Sequence, residues 1–82
     1  MPYPNEHSAR LKDPSGFQKD SFRRIRIANG VFAIIGKLKG QNTTTTQAYR
    51  FLKNVFTSKE ARNWLKKRNI NYIRFEPASG TS

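Results

Sequence analysis

Hydrophobic and polar residues alternate over residues 22–28, which is the pattern of a β-strand with one buried face. Ile25 and Ile27 fall on one side of this segment, and Arg24 and Arg26 fall on the other. The pair Asn29-Gly30 follows directly and is the strongest short signal of a two-residue hairpin turn. Residues 31–39 begin with an apolar run, so we predict a central strand that pairs with the first.

A third strand and a helix come next. Residues 43–51 begin with consecutive threonines, whose branched β-carbons favour extended backbone. Thr57 and Glu60 have the spacing of a capping box, in which each side chain binds the other residue's amide. This predicts a helix over residues 58–68, packed through Trp64 and Leu65. A last strand is predicted over residues 70–76.

The predicted order is β-β-β-α-β, an α+β fold with a small antiparallel sheet and one helix packed on one of its faces. Residues 1–16 are rich in proline and lack an apolar pattern, so they are predicted to be an extended, flexible basic arm. Residues 17–76 form the single domain, with Phe17 as the first core anchor. Residues 77–82 are predicted to be a disordered tail.

Composition limits the classes of protein that remain. The chain has 82 residues and 35% hydrophobic residues, so it can build one modest core, helped by six Phe, three Tyr and one Trp. It has no cysteine, which excludes disulfides and thiolate metal sites. No apolar run approaches a membrane span, and no signal-peptide pattern opens the chain, so we expect an intracellular protein that is not secreted.

Catalytic residues are scarce. His7 is the only histidine and falls in the predicted arm beside Glu6. General acid–base catalysis requires groups held within hydrogen-bonding distance, which a flexible arm does not provide. A metal site made of Glu6, His7 and Asp13 would bind weakly if disordered. We therefore expect no enzyme activity, no cofactor and no resident metal.

Charge is the strongest functional signal. The chain has 16 Lys and Arg against five Asp and Glu, a net charge of +11. Such an imbalance lowers stability by self-repulsion and is commonly tolerated where a polyanion screens it. We expect nucleic acid as the partner, DNA rather than RNA, bound mainly through phosphates. Another acidic partner, or a basic surface with no polyanion partner, are the alternatives.

The basic residues form clusters along the predicted elements. Extending the hairpin from its turn places Arg23 opposite Gly36 and Lys37 opposite Phe22, so the two clusters approach each other at the end remote from the turn. An anion bridging them would relieve their repulsion. The candidate nucleic-acid-binding residues are Arg23, Arg24, Arg26, Lys37, Lys39, Tyr49, Arg50, Lys53, Arg62, Lys66 and Lys67.

Aromatic residues alternate with the cations in two places. An exposed ring between cations is typical of surfaces on which unpaired bases stack. In a chain with so few core residues, Phe51, Trp64 and Phe75 are expected to be buried. Tyr49 and Tyr72 are then the remaining candidates for stacking.

Several short motifs together indicate a resemblance to a known family. They are Asn5-Glu6-His7-Ser8-Ala9-Arg10, Asp13-Pro14, Phe22-Arg23-Arg24, Gly36-Lys37-Leu38-Lys39-Gly40, Gln47-Ala48-Tyr49-Arg50-Phe51 and Phe75-Glu76-Pro77-Ala78. Through them, residues 5–78 resemble the small domain encoded by tailed bacteriophages and prophages, found alone or attached to head-morphogenesis proteins such as prohead proteases. The resemblance implies a viral setting, in the host cytoplasm or the virion, and carries no functional residues. It raises an alternative function, an assembly accessory of a phage head that contacts acidic coat proteins or packaged genome.

Overall fold

A computed structural model describes residues 3–80. In chain order, its strands and its one α-helix are β1 (Glu6–Arg10), β2 (Arg23–Ala28), β3 (Val31–Lys37), β4 (Thr44–Leu52), α1 (Ser58–Lys67) and β5 (Arg74–Glu76). Two short 3-10 turns, Pro14–Gly16 and Lys19–Ser21, connect β1 to β2. The strands form one antiparallel sheet in the order β2-β3-β4-β1-β5. The predicted α+β class and the β-β-β-α-β order from β2 onward are confirmed.

The N-terminal segment belongs to the sheet. β1 lies between β4 and β5, with Glu6 opposite Leu52 and Ala9 opposite both Tyr49 and Phe75. The prediction of a flexible arm is therefore wrong for residues 6–10. The prolines flank this strand and do not interrupt it, and Ala9 is fully buried between its neighbours. Residues 1 and 2 lie outside the described part of the chain.

The C-terminal segment is also held in place. The amides of Ser79 and Gly80 each donate to a carbonyl, that of Tyr3 and that of Pro4 respectively, both at 2.9 Å. The predicted disordered tail is thus wrong for residues 77–80, and residues 81–82 lie outside the described range. The last strand, predicted over residues 70–76, is confined to Arg74–Glu76.

The hairpin turn forms at Asn29-Gly30, but the predicted register is wrong. Gly30 has φ of +74°, and a side chain there would meet Val55 at 2.8 Å. A β-bulge follows: Ala28 faces Val31, whereas Arg26 faces Phe32, so one residue of β2 is unpaired. Arg23 therefore lies opposite Ile35 and not Gly36. The bulge accounts for the shift because it adds one residue to β2 alone.

The core lies between the sheet and α1. The capping box is present: the Thr57 hydroxyl accepts from the Glu60 amide at 3.1 Å, and the Glu60 carboxylate accepts from the Thr57 amide at 2.8 Å. This cap starts the helix at the predicted residue. The fully buried residues beneath and on the helix are Ala9, Val31, Phe51, Ala61 and Leu65, with Trp64 half-buried against them.

A smaller apolar cluster covers one end of the opposite sheet face. Phe17 is only 2% exposed, which confirms it as an anchor, and its ring centroid lies 5.4 Å from that of Phe22. Gly36 permits this packing, because a Cβ there would lie 2.9 Å from the Phe17 ring. The segment between β1 and β2 thereby packs onto the sheet.

Candidate nucleic-acid interface

Most of the predicted cations lie on two surfaces of the protein. Strand alternation and register place Glu6, Arg24, Arg26, Phe32 and Arg50 together on the sheet face opposite α1, which we call the open face. The helix-side surface comprises the outer face of α1 and the turn after it. Its polar and aromatic residues include Lys59, Arg62, Asn63, Lys66, Lys67, Arg68, Asn69, Asn71 and Tyr72.

On the open face, one carboxylate holds two arginines. Both Nη atoms of Arg24 donate to the carboxylate of Glu6, and Arg50 Nη1 lies 3.4 Å from Glu6 Oε1. Hydrogen bonds from Arg24 lower the pKa of the Glu6 carboxyl, and Arg50 lowers it further, against an opposing effect of burial. Glu6 in turn raises the pKa of Arg24. Arg24 and Arg50, two of the five arginines predicted to bind phosphates, therefore already have an anionic partner within the protein.

Aromatic rings hold the same guanidinium groups from the other side. The Arg24 guanidinium lies 4.1 Å from the centroid of the Phe32 ring, and that of Arg50 lies 3.8 Å from the Tyr3 ring. Arg50 Nη2 also donates to the Tyr3 hydroxyl at 2.7 Å. Arg26, by contrast, is exposed and takes part in no ion pair among residues 3–80.

The far end of the hairpin brings Arg23 and Lys37 together despite the changed register. Both residues line one shallow concavity of about 350 Å³, together with Lys19 and Asp20. Asp20 adds a carboxylate to this concavity, but it forms no ion pair with these cations among residues 3–80. Lys39 lies farther along, beside Phe17 and Phe22.

The helix-side surface has a different charge environment. Lys59, Asn63 and Lys66 follow the i, i+4, i+7 spacing on the side of α1 away from the buried Ala61 and Leu65. The two lysines stand roughly 10 Å apart along the helix axis. The one carboxylate of α1, Glu60, is engaged in the capping box. No ion pair within the described residues involves a cation of this surface.

Two arginines here stack on aromatic rings without contacting an acid. The Arg62 guanidinium lies 4.6 Å from the centroid of the Phe75 ring, and that of Arg68 lies 3.8 Å from the Trp64 ring. Stacking fixes their position and leaves their charge unneutralised. The outer helix therefore presents ordered, unpaired positive charge.

Beside the helix is a groove of about 440 Å³, lined by Arg62, Asn63, Lys66, Asn69, Ile70, Asn71 and Tyr72. Asn69 ends the helix with a left-handed backbone, φ +56°, which turns the chain back along α1. This turn brings Asn71 and Tyr72 beside Arg62 and Lys66. The sequence pattern predicted the two cations and named Tyr72 as a candidate for stacking, but it did not select the asparagines or Lys59.

Tyr49, which was predicted to stack on a base, lies half-buried beneath α1. Its ring centroid lies 5.6 Å from that of Trp64, and it packs against the core. The structure therefore gives Tyr49 a packing role and does not place it in the groove beside α1. Lys53 also lies apart from the helix groove, just after β4, where its amide donates to Asn5.

His7 is buried and not in a flexible arm, which corrects the prediction made for it. The amide of Ala78 donates to its Nδ1 at 2.9 Å, so Nε2 carries the proton and donates to the Phe56 carbonyl at 2.8 Å. Both ring nitrogens thus join β1 to other segments. Residues 3–80 contain no group of three or more His, Cys, Asp or Glu side chains that could share a metal ion.

Comparisons with protein-family models, with curated proteins and with solved structures find no match to this chain. The resemblance to phage-encoded domains stays a prediction. None of the helices in the described range combines the length and apolarity that crossing a membrane requires.

Proposed function

We propose that the protein binds nucleic acid mainly through phosphate contacts, without catalysis, and that the helix-side surface makes most of these contacts. One observation carries this proposal: the outer face of α1 presents Lys59, Arg62, Lys66 and Lys67 with no carboxylate paired to any of them. Unpaired cations on a rigid element can neutralise phosphates and release condensed counterions.

Helix stability accounts for only part of this charge. Lysines in the last turn, such as Lys66 and Lys67, interact favourably with the helix dipole. Lys59 lies in the first turn, where the dipole disfavours a cation. Lys59 also lies on the same side of α1 as Lys66, which supports a role for both in contacting an external anion.

The test is a titration of labelled single- and double-stranded oligonucleotides at several salt concentrations. On duplex DNA, each phosphate contact contributes about 0.9 to the slope of log K against log salt, so four to six contacts give roughly −4 to −5. The double variant Lys59→Gln/Lys66→Gln should flatten that slope by about two and weaken binding to all sequences alike.

The matched control removes two cations from the open face. Arg24→Gln/Arg26→Gln changes the net charge equally, but Arg24 is already bound to Glu6. Its effect should be smaller than that of the lysine pair. A salt-independent affinity, or no binding to any oligonucleotide at low salt, would contradict the proposal. An assembly role with acidic phage proteins, suggested by the family resemblance, would then become the leading hypothesis.

A further inference from the structure

The groove beside α1 combines three kinds of group that single-stranded nucleic acids require. Arg62 and Lys66 supply positive charge on one wall, and Tyr72 supplies an aromatic ring on the other. Asn63, Asn69 and Asn71 contribute side-chain amides. The volume, about 440 Å³, falls within the roughly 300–1,000 Å³ that small-molecule sites occupy.

The Tyr72 ring is accessible and held in place. It is 37% exposed, and its centroid lies 5.9 Å from that of Phe75, which in turn lies beneath the Arg62 guanidinium. The ring therefore continues an ordered arrangement of arginine and aromatic groups that ends at the solvent. An additional flat group can extend it by stacking on the exposed part of Tyr72.

The amides are free to bind a ligand. Within residues 3–80, the side chains of Asn63, Asn69 and Asn71 and the Tyr72 hydroxyl make no hydrogen bond to another residue. Each amide offers a donor and an acceptor, the combination displayed on the edges of nucleic-acid bases. In a duplex the Watson–Crick edges are paired and the base faces are stacked on each other, so a base can stack on Tyr72 only after it leaves the duplex.

We infer that the groove binds an unpaired nucleotide, with its base stacked on Tyr72 and its flanking phosphates on Arg62 and Lys66. The protein should therefore prefer single-stranded to double-stranded nucleic acid. This inference rests on the proposed function and specifies which form of nucleic acid is bound.

The experiment compares Tyr72→Ala with two controls, Tyr72→Phe and Tyr3→Ala. Phenylalanine keeps the stacking face, and Tyr3 is similarly exposed, at 39%, but lies on the open face beside Arg50. Affinity is measured by fluorescence anisotropy for single-stranded DNA, single-stranded RNA of the same sequence, and the DNA duplex. Thermal melts check that each variant folds, and Tyr72→Leu replaces the alanine variant if that one does not.

Tyr72→Ala should weaken binding to single strands by roughly 5- to 150-fold, the loss typical of one stacked base. Binding to duplex should stay unchanged, and so should the salt slope on single strands, because stacking releases no counterions. Tyr72→Phe should recover most of the lost affinity because it keeps the stacking face, and Tyr3→Ala should bind as the wild type does. The single strand that binds more tightly, DNA or RNA, identifies the ligand.

Two results would overturn the inference while leaving the proposed function standing. One is salt-dependent binding to single strands that Tyr72→Ala does not weaken. The other is an equal loss on single strands and duplex. A salt-independent affinity, or no binding at all, would refute the proposed function itself.

Discussion

The open face and the helix-side surface carry the same type of group in different surroundings. Each has arginines stacked on aromatic rings, Arg24 and Arg50 on the first, Arg62 and Arg68 on the second. On the open face, Glu6 lies between the arginines and binds both. On the helix side, no carboxylate takes that position among the described residues.

This difference distinguishes cations that stabilise the fold from cations that are able to bind a ligand. A guanidinium that is bound to a carboxylate and an aromatic ring stabilises the fold and gains less from an added phosphate. With 16 cations and only five acids, the positions of the acids determine which cations remain unpaired. Whether a cation can bind a phosphate therefore depends on the position of acids such as Glu6 as well as on the position of the cation itself.

The largest expected effect tests whether the two faces contribute differently to stability. Phe51 is fully buried beneath α1, whereas Phe32 lies half-buried on the open face under Arg24. Phe51→Ala should lower the free energy of unfolding by roughly 3–5 kcal/mol. Phe32→Ala should lower it by roughly 1–2 kcal/mol, because Phe32 buries less apolar surface on folding than Phe51 does. Urea denaturation measures both losses, and equal values would contradict a main core on the helix side of the sheet.

Strand β1 allows the two faces of the sheet to be compared within one element. His7 faces α1, whereas its neighbours Glu6 and Ser8 face away from it. His7→Ala leaves the carbonyl of Phe56 and the amide of Ala78 without their partners. The expected cost is about 1–3 kcal/mol. Ser8→Ala is the control and should change thermal stability little. A His7→Ala protein as stable as the wild type would mean that the His7 hydrogen bonds contribute nothing.

Local signals in the sequence predicted much of the fold. They failed for the buried face of β2, because Ile25 and Ile27 are 41% and 44% exposed on this edge strand. The position of β2, the Asn29-Gly30 turn, the Thr57–Glu60 capping box and the burial of Phe17 all depend on nearby residues or on simple hydrophobicity. Each appears in the structure within a few residues of its predicted position. The predicted register of the hairpin is wrong because the hydrophobic pattern does not reveal the β-bulge in β2.

β1 was missed for a different reason. Its residues are mostly polar or small, and its pairing partners, β4 and β5, lie about 40 and 65 residues away in sequence. The same long-range contacts bring Glu6 to Arg24 and Arg50. The sequence pattern therefore predicts most of the cations, but it does not separate those that Glu6 neutralises from those left unpaired, and it does not show that Tyr49 packs beneath α1.

The ion pairs of Glu6 predict how stability depends on pH. The folded state lowers the pKa of Glu6 below the ordinary value of 4.5, so its contribution is present above that pH and is lost as the pH falls through the folded value. Because the pair is partly solvent-exposed, we expect about 1 kcal/mol or less at neutral pH. The difference in stability between the wild type and Glu6→Gln should disappear in acid. A difference that persists at low pH would show that Glu6 stabilises the fold by something other than its charge.

The smallest expected effect is a gain of binding on the open face. Glu6→Gln removes the carboxylate that Arg24 and Arg50 share, so both arginines become available to phosphates. Affinity should rise modestly, and the salt slope on duplex DNA should steepen by about one to two.

The control for that gain is Asp13→Asn, which raises the net charge by the same amount. Asp13 accepts a hydrogen bond from the Ser15 amide, which asparagine can replace, and it binds no arginine. An equal gain in both variants would mean that net charge alone attracts the nucleic acid and that the freed arginines add no contact. A gain from Glu6→Gln that exceeds the loss from Lys59→Gln/Lys66→Gln would reverse the comparison, because the open face would then be the stronger binding surface once its carboxylate is removed.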